Sequence, residues 1–305
     1  MLVAMLAVED FTLWDRRRRG VASGEVSFTN VLLQPPFETL KTIGFIGAGK
    51  MAQALVGGIQ RDFSDLAFLV SDPSDEALAA FGQAVSGRSC TRCSNEEIFT
   101  QADFVVLAVK PQHAAVALEA IDGSTSEPLV ISIMAGVTIS RVQELTRAKR
   151  VVRVMPNTPC LVGEGASGIA AGDNVSDGDL KYVSELLQSV GKVVEVSEEH
   201  IDAVTGVSGS GPAYVFRFIE SLIEGGIAEG LSSDVAKTLA VQTVLGAAKL
   251  VTETGEDPAI LRDRVTSPGG TTLAALNSLE ADGFDRAIVS AVSAAVVRAK
   301  ELAAE

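Results

Sequence analysis

Cysteine is scarce in this chain of 305 residues, which has Cys90, Cys93 and Cys160 and no others. So sparse and odd a set builds no disulfide framework, and it points to a reducing compartment, here expected to be the cytoplasm. Histidine is scarcer still, with His113 and His200 alone. Cys90-Thr91-Arg92-Cys93 has the C-x-x-C spacing, but a zinc site needs two more ligands, and no metal centre is expected. Two incidental thiols ahead of a helix is the simpler reading. Aromatics make up only 5% of the chain. Positive charge is in deficit, with 25 Lys and Arg against 39 Asp and Glu, a net charge of -14. A nucleic-acid binder needs a basic footprint to displace counterions from phosphate, so no nucleic-acid partner is expected. The one basic run, Arg16 to Arg19, lies far forward. No uninterrupted apolar run approaches the roughly 18 residues of a membrane span, and no membrane partner is expected. Met1 to Val8 is apolar but short, and Glu9 and Asp10 follow it. A secretory signal places its charge before the apolar core and makes that charge positive.

What is present is a globular profile. Hydrophobic residues are 47% of the chain and charged residues 21%, and the length allows roughly two domains. Residues 1–40 lack sustained periodicity and end in Gln34-Pro35-Pro36. They read as a disordered, dispensable extension. From Lys41 the pattern changes. Thr42 to Ile46, Leu66 to Val70, Phe104 to Val109, Leu129 to Met134 and Val151 to Met155 are short continuous apolar runs. Runs of this kind are the mark of buried parallel strands. Ala52 to Ile59 and Asp75 to Ala84 read as helices between them. The alternation predicts an α/β fold, a Rossmann-type doubly wound sheet over residues 41–199. Beyond Glu199 only helices are expected: Ala213 to Glu229, Ser233 to Thr252, Thr271 to Glu280 and Asp285 to Glu305. Residues 200–305 therefore read as an all-helical domain. Several of its helices, such as Ala287 to Val297, are apolar on more than one face, which calls for a second subunit.

Five motifs carry chemistry. Gly44-Phe45-Ile46-Gly47-Ala48-Gly49-Lys50-Met51-Ala52 is G-x-G-x-x-A after a strand and at the opening of a helix. Gly47 permits the tight turn, Gly49 lets backbone approach a pyrophosphate, and Ala52 allows close helix–strand packing. Ala108-Val109-Lys110-Pro111 and Ala135-Gly136 follow the next strands, on the edge where open α/β sheets bind ligands. Met155-Pro156-Asn157-Thr158-Pro159 is a rigid strand exit. Val207-Ser208-Gly209-Ser210-Gly211-Pro212-Ala213-Tyr214 precedes a long helix. It serves either as close-approach backbone or as a hinge. Ser267-Pro268-Gly269-Gly270-Thr271-Thr272 places a glycine pair at a helix start. Such a nest binds anions, carboxylates included, and the hydroxyls donate or accept.

In this order and spacing the five motifs resemble the pyrroline-5-carboxylate reductase family, over about Lys41 to Ala303. The resemblance implies reduction of the cyclic imine 1-pyrroline-5-carboxylate to L-proline by hydride from NADPH or NADH. It implies that Gly47, Gly49, Lys50 and Met51 cradle the cofactor phosphates and that Ser71, Asp72 and Ser74 lie near the adenosine ribose. By the same resemblance Asn95, Ala108, Val109, Lys110 and Pro111 line the rest of the groove, and Ala135 and Gly136 lie near the nicotinamide. Ser267, Gly269, Gly270, Thr271 and Thr272 would hold the substrate, with Glu256 beside them. Thr272 and Ser267 would act at the ring nitrogen. The family's helical domain forms interlocked homodimers, which can join into a ring such as a decamer.

The segment Ser71-Asp72-Pro73-Ser74-Asp75-Glu76 contains no Arg or Lys. Asp72 follows Gly47 by about 25 residues, near the offset of roughly 20 for an acid that binds ribose hydroxyls. NADH is therefore expected to serve at least comparably with NADPH. Two other readings compete. A 3-hydroxyacid dehydrogenase of the hydroxyisobutyrate or phosphogluconate type needs a lysine soon after its glycine motif, where this chain has Tyr214, Val215 and Phe216. A non-catalytic NAD(P) sensor would not need the nest at Ser267 to Thr272.

Overall fold

The computed structural model describes residues 42–119, 121 and 126–304; the sequence-read extension 1–40 lies outside them. Eight strands form one sheet: β1 (Thr42–Ile46), β2 (Ala67–Ser71), β3 (Cys90–Arg92), β4 (Phe104–Leu107), β5 (Leu129–Ser132), β6 (Val151–Met155), β7 (Gly165–Ala171) and β8 (Gly191–Glu195). Their order is β3-β2-β1-β4-β5-β6-β7-β8. All neighbours run parallel except β6 and β7. From β1 the chain moves outward to β2 and β3, then returns to the other side of β1 as β4. That reversal leaves a crevice between β1 and β4 at the carboxyl edge, where open sheets bind nucleotides.

Helices cover both faces of the sheet. α1 (Lys50–Asp62), α2 (Asp75–Ala84) and α6 (Asp177–Gln188) meet one core, built on Phe45, Leu55, Phe68 and Phe81. α3 (Asn95–Gln101), α4 (Ala114–Leu118) and α5 (Ile139–Thr146) meet the other, built on Ile46, Ile98, Leu107 and Leu118. Phe45 and Ile46 are neighbours in β1 and enter opposite cores, as strand pleating requires. Helix starts are set locally. Ser74 caps α2 by accepting from the Ala77 N–H, while Ser94 and Glu97 form a reciprocal capping box on α3.

Three strands escaped the sequence reading, each for a reason of composition. β3 is a three-residue edge strand with a half-exposed face. β7 is Gly-Ala-Ser-Gly-Ile-Ala-Ala, mostly too small to register as an apolar run. β8 is the opposite edge, and its Val194 is exposed. β2 and β4 are also shifted or shortened, so that Ala108 and Val109 lie beyond the strand.

After α7 (Ile201–Val204) comes a π-helical turn, Thr205–Gly209. Then follow α8 (Gly211–Ala228), α9 (Ser233–Thr254), α10 (Pro258–Arg264), α11 (Thr271–Ala281) and α12 (Phe284–Ala304). α12 lies along the π-helical turn. A Cβ at Gly206 would stand 2.8 Å from Val296 Cγ2 and 3.0 Å from the Val292 carbonyl, so glycine is what lets these backbones meet. These helices bury little. α8, α10 and α11 have no buried residue, and α9 buries only Ala236 and Ala240. Phe216, Leu239, Leu245 and Val289 are all more than half exposed. α9 is, by length and composition, long and apolar enough to cross a membrane. Its ends carry Asp234, Lys237, Lys249 and Glu253, so it holds no long uninterrupted apolar run.

Candidate active site: a nucleotide cradle and a carboxylate nest

Gly47 turns the chain out of β1 at φ +99°. A Cβ there would lie 2.7 Å from the Ala108 carbonyl oxygen, so the first and second motifs touch through bare backbone. The Gly47 N–H donates to the Ser71 carbonyl at 2.8 Å, and the Ala108 N–H donates to the Ile46 carbonyl at 2.8 Å. Gly49 then opens α1 in extended backbone with no side-chain cap, and no atom lies within 4 Å of where its Cβ would be. The first N–H groups of α1 thus face open space, the arrangement that receives a pyrophosphate. Ala52 is fully buried, while Lys50 is exposed and Met51 partly packed on the core.

At the next strand end Asp72 is not a free acceptor. Its Oδ2 accepts from the Ala48 N–H at 2.7 Å, and its Oδ1 accepts from the Ser74 N–H at 2.8 Å. The carboxylate therefore braces the glycine turn against the start of α2. Asn95, first residue of α3, donates from Nδ2 to the Ala117 carbonyl at 2.7 Å, but its buried Oδ1 has no partner among the described residues. An orphaned acceptor is costly unless a donor arrives, and a nucleotide hydroxyl is such a donor. The open glycine turn and this orphan both fit a dinucleotide cofactor.

Lys110 and Pro111 begin a short 3-10 turn past β4, with the His113 N–H donating to the Lys110 carbonyl at 2.8 Å. Gly136, at φ +75°, and Ala135 follow β5 on the same edge. All the sequence-read cofactor residues thus share the carboxyl ends of β1 to β5. The thiols stand apart from such chemistry. Burial, then the nearby Cys93, push the Cys90 thiol up, while burial, then Glu97, push Cys93 up. Neither is an activated thiolate. Among the described residues no cluster of His, Cys, Asp and Glu is placed to hold a metal ion.

Ser267 to Gly270 form a turn in which the Gly270 N–H donates to the Ser267 carbonyl at 3.0 Å, with Gly269 at φ +71°. Pro268 and a left-handed glycine are the two central residues a type II turn requires. A Cβ at Gly270 would stand 2.4 Å from Ser267 Oγ, so the glycine makes room for that hydroxyl. Gly270 caps α11 without a side-chain hydrogen bond, leaving the N–H groups from Thr271 onward aimed outward. Glu256 is held in a two-pronged bridge to Arg264, at 2.7 Å (Oε1) and 2.5 Å (Oε2). α11 packs against α12, and none of its substantial packing is against β1, β4 or β5. The nest and the cradle are thus built on separate parts of the chain.

The model described as pyrroline-5-carboxylate reductase dimerisation matches residues 198–302, and the one described as NADP oxidoreductase, coenzyme F420-dependent, matches residues 42–136. The pyrroline-5-carboxylate reductase of Methanosarcina acetivorans is 45% identical over 264 residues, covering 85% of this chain and 97% of that protein. This chain belongs to the pyrroline-5-carboxylate reductase family. The solved Coxiella burnetii pyrroline-5-carboxylate reductase superposes with a TM-score of 0.80 at 38% identity, covering 87% of this chain and 99% of the other. The Plasmodium falciparum pyrroline carboxylate reductase, solved with NADP bound, gives a TM-score of 0.74 at 36% identity, covering 86% and 98%. In a pyrroline-5-carboxylate reductase the exposed apolar faces of α8 to α12 have a ready account, because they lie within the dimerisation match.

The third and fourth motifs are joined by a contact that their sequences do not reveal. Asn157 donates from Nδ2 to the Ser208 carbonyl and accepts at Oδ1 from the Ala166 N–H. Gly209 gives room to Met155, whose Cε would lie 2.5 Å from an added Cβ. These residues form the joint between sheet and helices.

Proposed function

We propose that the chain reduces 1-pyrroline-5-carboxylate to L-proline with NADPH. The observation that carries this reading is the pairing, in one chain, of an open glycine cradle at Gly47 and Gly49 with an uncapped nest at Ser267 to Thr272. The identity to curated reductases across most of the chain supports it. The bound nicotinamide supplies a hydride to the carbon of the C=N bond, and the nitrogen carries a proton into the product. The protein's part is chiefly to position the two rings. The free N–H groups at the start of α11 and the Ser267 hydroxyl hold the substrate carboxylate. The Thr272 hydroxyl bonds the ring nitrogen, directly or through water. Glu256, fixed by Arg264, holds the base of the nest. Gly47, Gly49, Lys50 and Met51 hold the cofactor phosphates; Ser71, Ser74 and Asn95 lie along the ribose, and Ala108 to Pro111 with Ala135 and Gly136 flank the nicotinamide half.

α11 packs mainly on α12, with no substantial packing on β1, β4 or β5. We therefore assign the nest of one protomer to the cradle of its partner. The assembly is a homodimer through the helices of residues 200–305, with dimers joined in a ring such as a decamer. A second copy, not a membrane, covers the apolar face of α9. Three free thiols support a cytoplasmic location. The reading of a hydroxyacid dehydrogenase gains no support, since no lysine follows Gly211 before Lys237. The test is oxidation of NADPH followed optically with pyrroline-5-carboxylate as substrate, against a 3-hydroxyacid with NADP+ as control. Imine-dependent oxidation is the expected result; turnover of the hydroxyacid alone would overturn the proposal.

A further inference from the structure

We propose that Arg92, on the edge strand β3, reads the 2′-phosphate of NADPH. The inference rests on the reading of this chain as an NADPH-using reductase and adds the residue that selects that cofactor. The loop after β2 has no basic residue of its own. Its sequence is Ser71-Asp72-Pro73-Ser74-Asp75-Glu76, in a chain of net charge -14. A phosphate ester of nearly two negative charges would meet repulsion there unless a cation came from elsewhere.

The sheet supplies one. Arg92 pairs in register with Val70, one residue before Ser71, so it stands at the carboxyl edge beside the ribose loop. Its Nη1 donates to Asp75 Oδ1 at 2.7 Å. Asp75 is the first residue of α2, directly after the cap Ser74, so the guanidinium reaches across the end of that loop. The bond to Asp75 uses one corner of the fork. Nε and Nη2 have no partner among the described residues, and the side chain is 64% exposed. Asp75 thus orients the guanidinium and leaves a two-donor edge open, the geometry suited to a phosphate.

Two further observations point the same way. The carboxylate expected to favour NADH is already engaged, because both oxygens of Asp72 accept backbone N–H groups from Ala48 and Ser74. Three residues beyond Arg92, Asn95 keeps a buried Oδ1 without a donor among the described residues. A ribose hydroxyl placed between Asn95 and the loop would satisfy it, and a 2′-phosphate on that ribose would point toward Arg92 and the Ser71 and Ser74 hydroxyls.

The experiment is calorimetric titration of the full chain with NADPH, NADH, adenosine 2′,5′-bisphosphate and 5′-AMP, for wild type, Arg92→Ala and Arg92→Lys. The bare adenosine nucleotides isolate the subsite from turnover. Arg92→Ala should raise Kd for NADPH and for the bisphosphate by about 10- to 100-fold, the scale of a lost charge-assisted hydrogen bond. Binding of NADH and 5′-AMP should move by less than about 2-fold. Arg92→Lys should fall between, since it keeps the charge and loses the fork. Equal weakening of phosphorylated and unphosphorylated ligands in Arg92→Ala, or no change in either, overturns the assignment. Should Arg92→Ala not fold, wild-type discrimination in Arg92→Lys overturns it equally. Failure of the reductase reading looks different, as absence of imine-dependent oxidation by wild type with either cofactor.

Discussion

Asn157 and Ser208 lie 51 residues apart and meet through one hydrogen bond, from Nδ2 to the Ser208 carbonyl at 3.0 Å. The other end of the same amide accepts from the Ala166 N–H at 2.9 Å, and the side chain is buried. One asparagine therefore fixes the exit of β6, the start of β7 and the π-helical turn together. Asn157→Ala removes this partner from the part-buried Ser208 carbonyl and Ala166 N–H. We expect a loss of about 1–3 kcal/mol of unfolding free energy, read by urea denaturation. A variant as stable as wild type would mean that water replaces the amide at no cost.

A second tie runs parallel to the first. Arg153, in β6, is 4% exposed. It donates to Asp202 Oδ1 at 3.1 Å and to Glu198 Oε1 at 3.4 Å, and Glu198 Oε1 also accepts from the Ile139 N–H at 2.7 Å. Arg153→Ala strands Asp202, the more enclosed carboxylate, and leaves Glu198 its bond from the Ile139 N–H. The cost should reach about 3 kcal/mol, near the lower end for breaking a buried pair. Arg153→Met should cost less than Arg153→Ala, because it refills part of the volume. The comparison of the two by thermal unfolding separates lost packing from lost pairing.

How far the sequence could be read followed from what each element needed. The glycine turn was legible because the positive φ of Gly47 is a local requirement, whereas its close approach to the Ala108 carbonyl on the neighbouring strand was not. The nest was legible because its turn, too, is a local requirement. The offset of Asp72 from Gly47 suggests a ribose acid, but it says nothing of the Ala48 and Ser74 N–H groups from which its two oxygens accept. Arg92 could not be connected to that loop at all, because strand pairing and not sequence proximity brings it there. β7 and β8 went unseen because one is built of small residues and the other leaves Val194 exposed. The helical half was legible as helices, but which faces they cover depends on a second chain.

Tyr182 should give the fold an alkaline limit. It packs against Phe104 at 5.2 Å and Phe63 at 6.0 Å between ring centroids. Burial first, then the charges of Glu185 and Asp103, push its phenol up to about 12. The ordinary value is about 10. A group whose pKa is raised on folding contributes stability that is fully present below its unfolded value and is lost as pH climbs toward the folded one. Stability should therefore decline from about pH 10 to about 12. Tyr182→Phe should flatten that decline. Denaturation curves taken across this window decide it; an identical decline in the variant would place its origin in other groups.

The assignment of one protomer's nest to its partner's cradle has a test that needs no structure of the dimer. Gly47→Ala puts a Cβ at φ +99° and within 2.7 Å of the Ala108 carbonyl oxygen, so cofactor binding should fail. Thr272→Val keeps the shape and removes the hydroxyl. Its kcat/KM should drop by about 10- to 1,000-fold, with NADPH affinity almost unchanged. Each variant alone is impaired at both sites of its dimer. In a mixed dimer with shared sites, the Thr272→Val protomer supplies an intact cradle and the Gly47→Ala protomer supplies an intact nest. They meet at one site, while the other site combines both defects. After subunit exchange at equal concentrations half of the dimers are mixed, so activity should return to about a quarter of wild type for a two-fold dimer. If nest and cradle instead served within one chain, every site in the mixed dimer would keep a defect. Activity would then stay at the average of the two variants, whatever the time allowed for exchange.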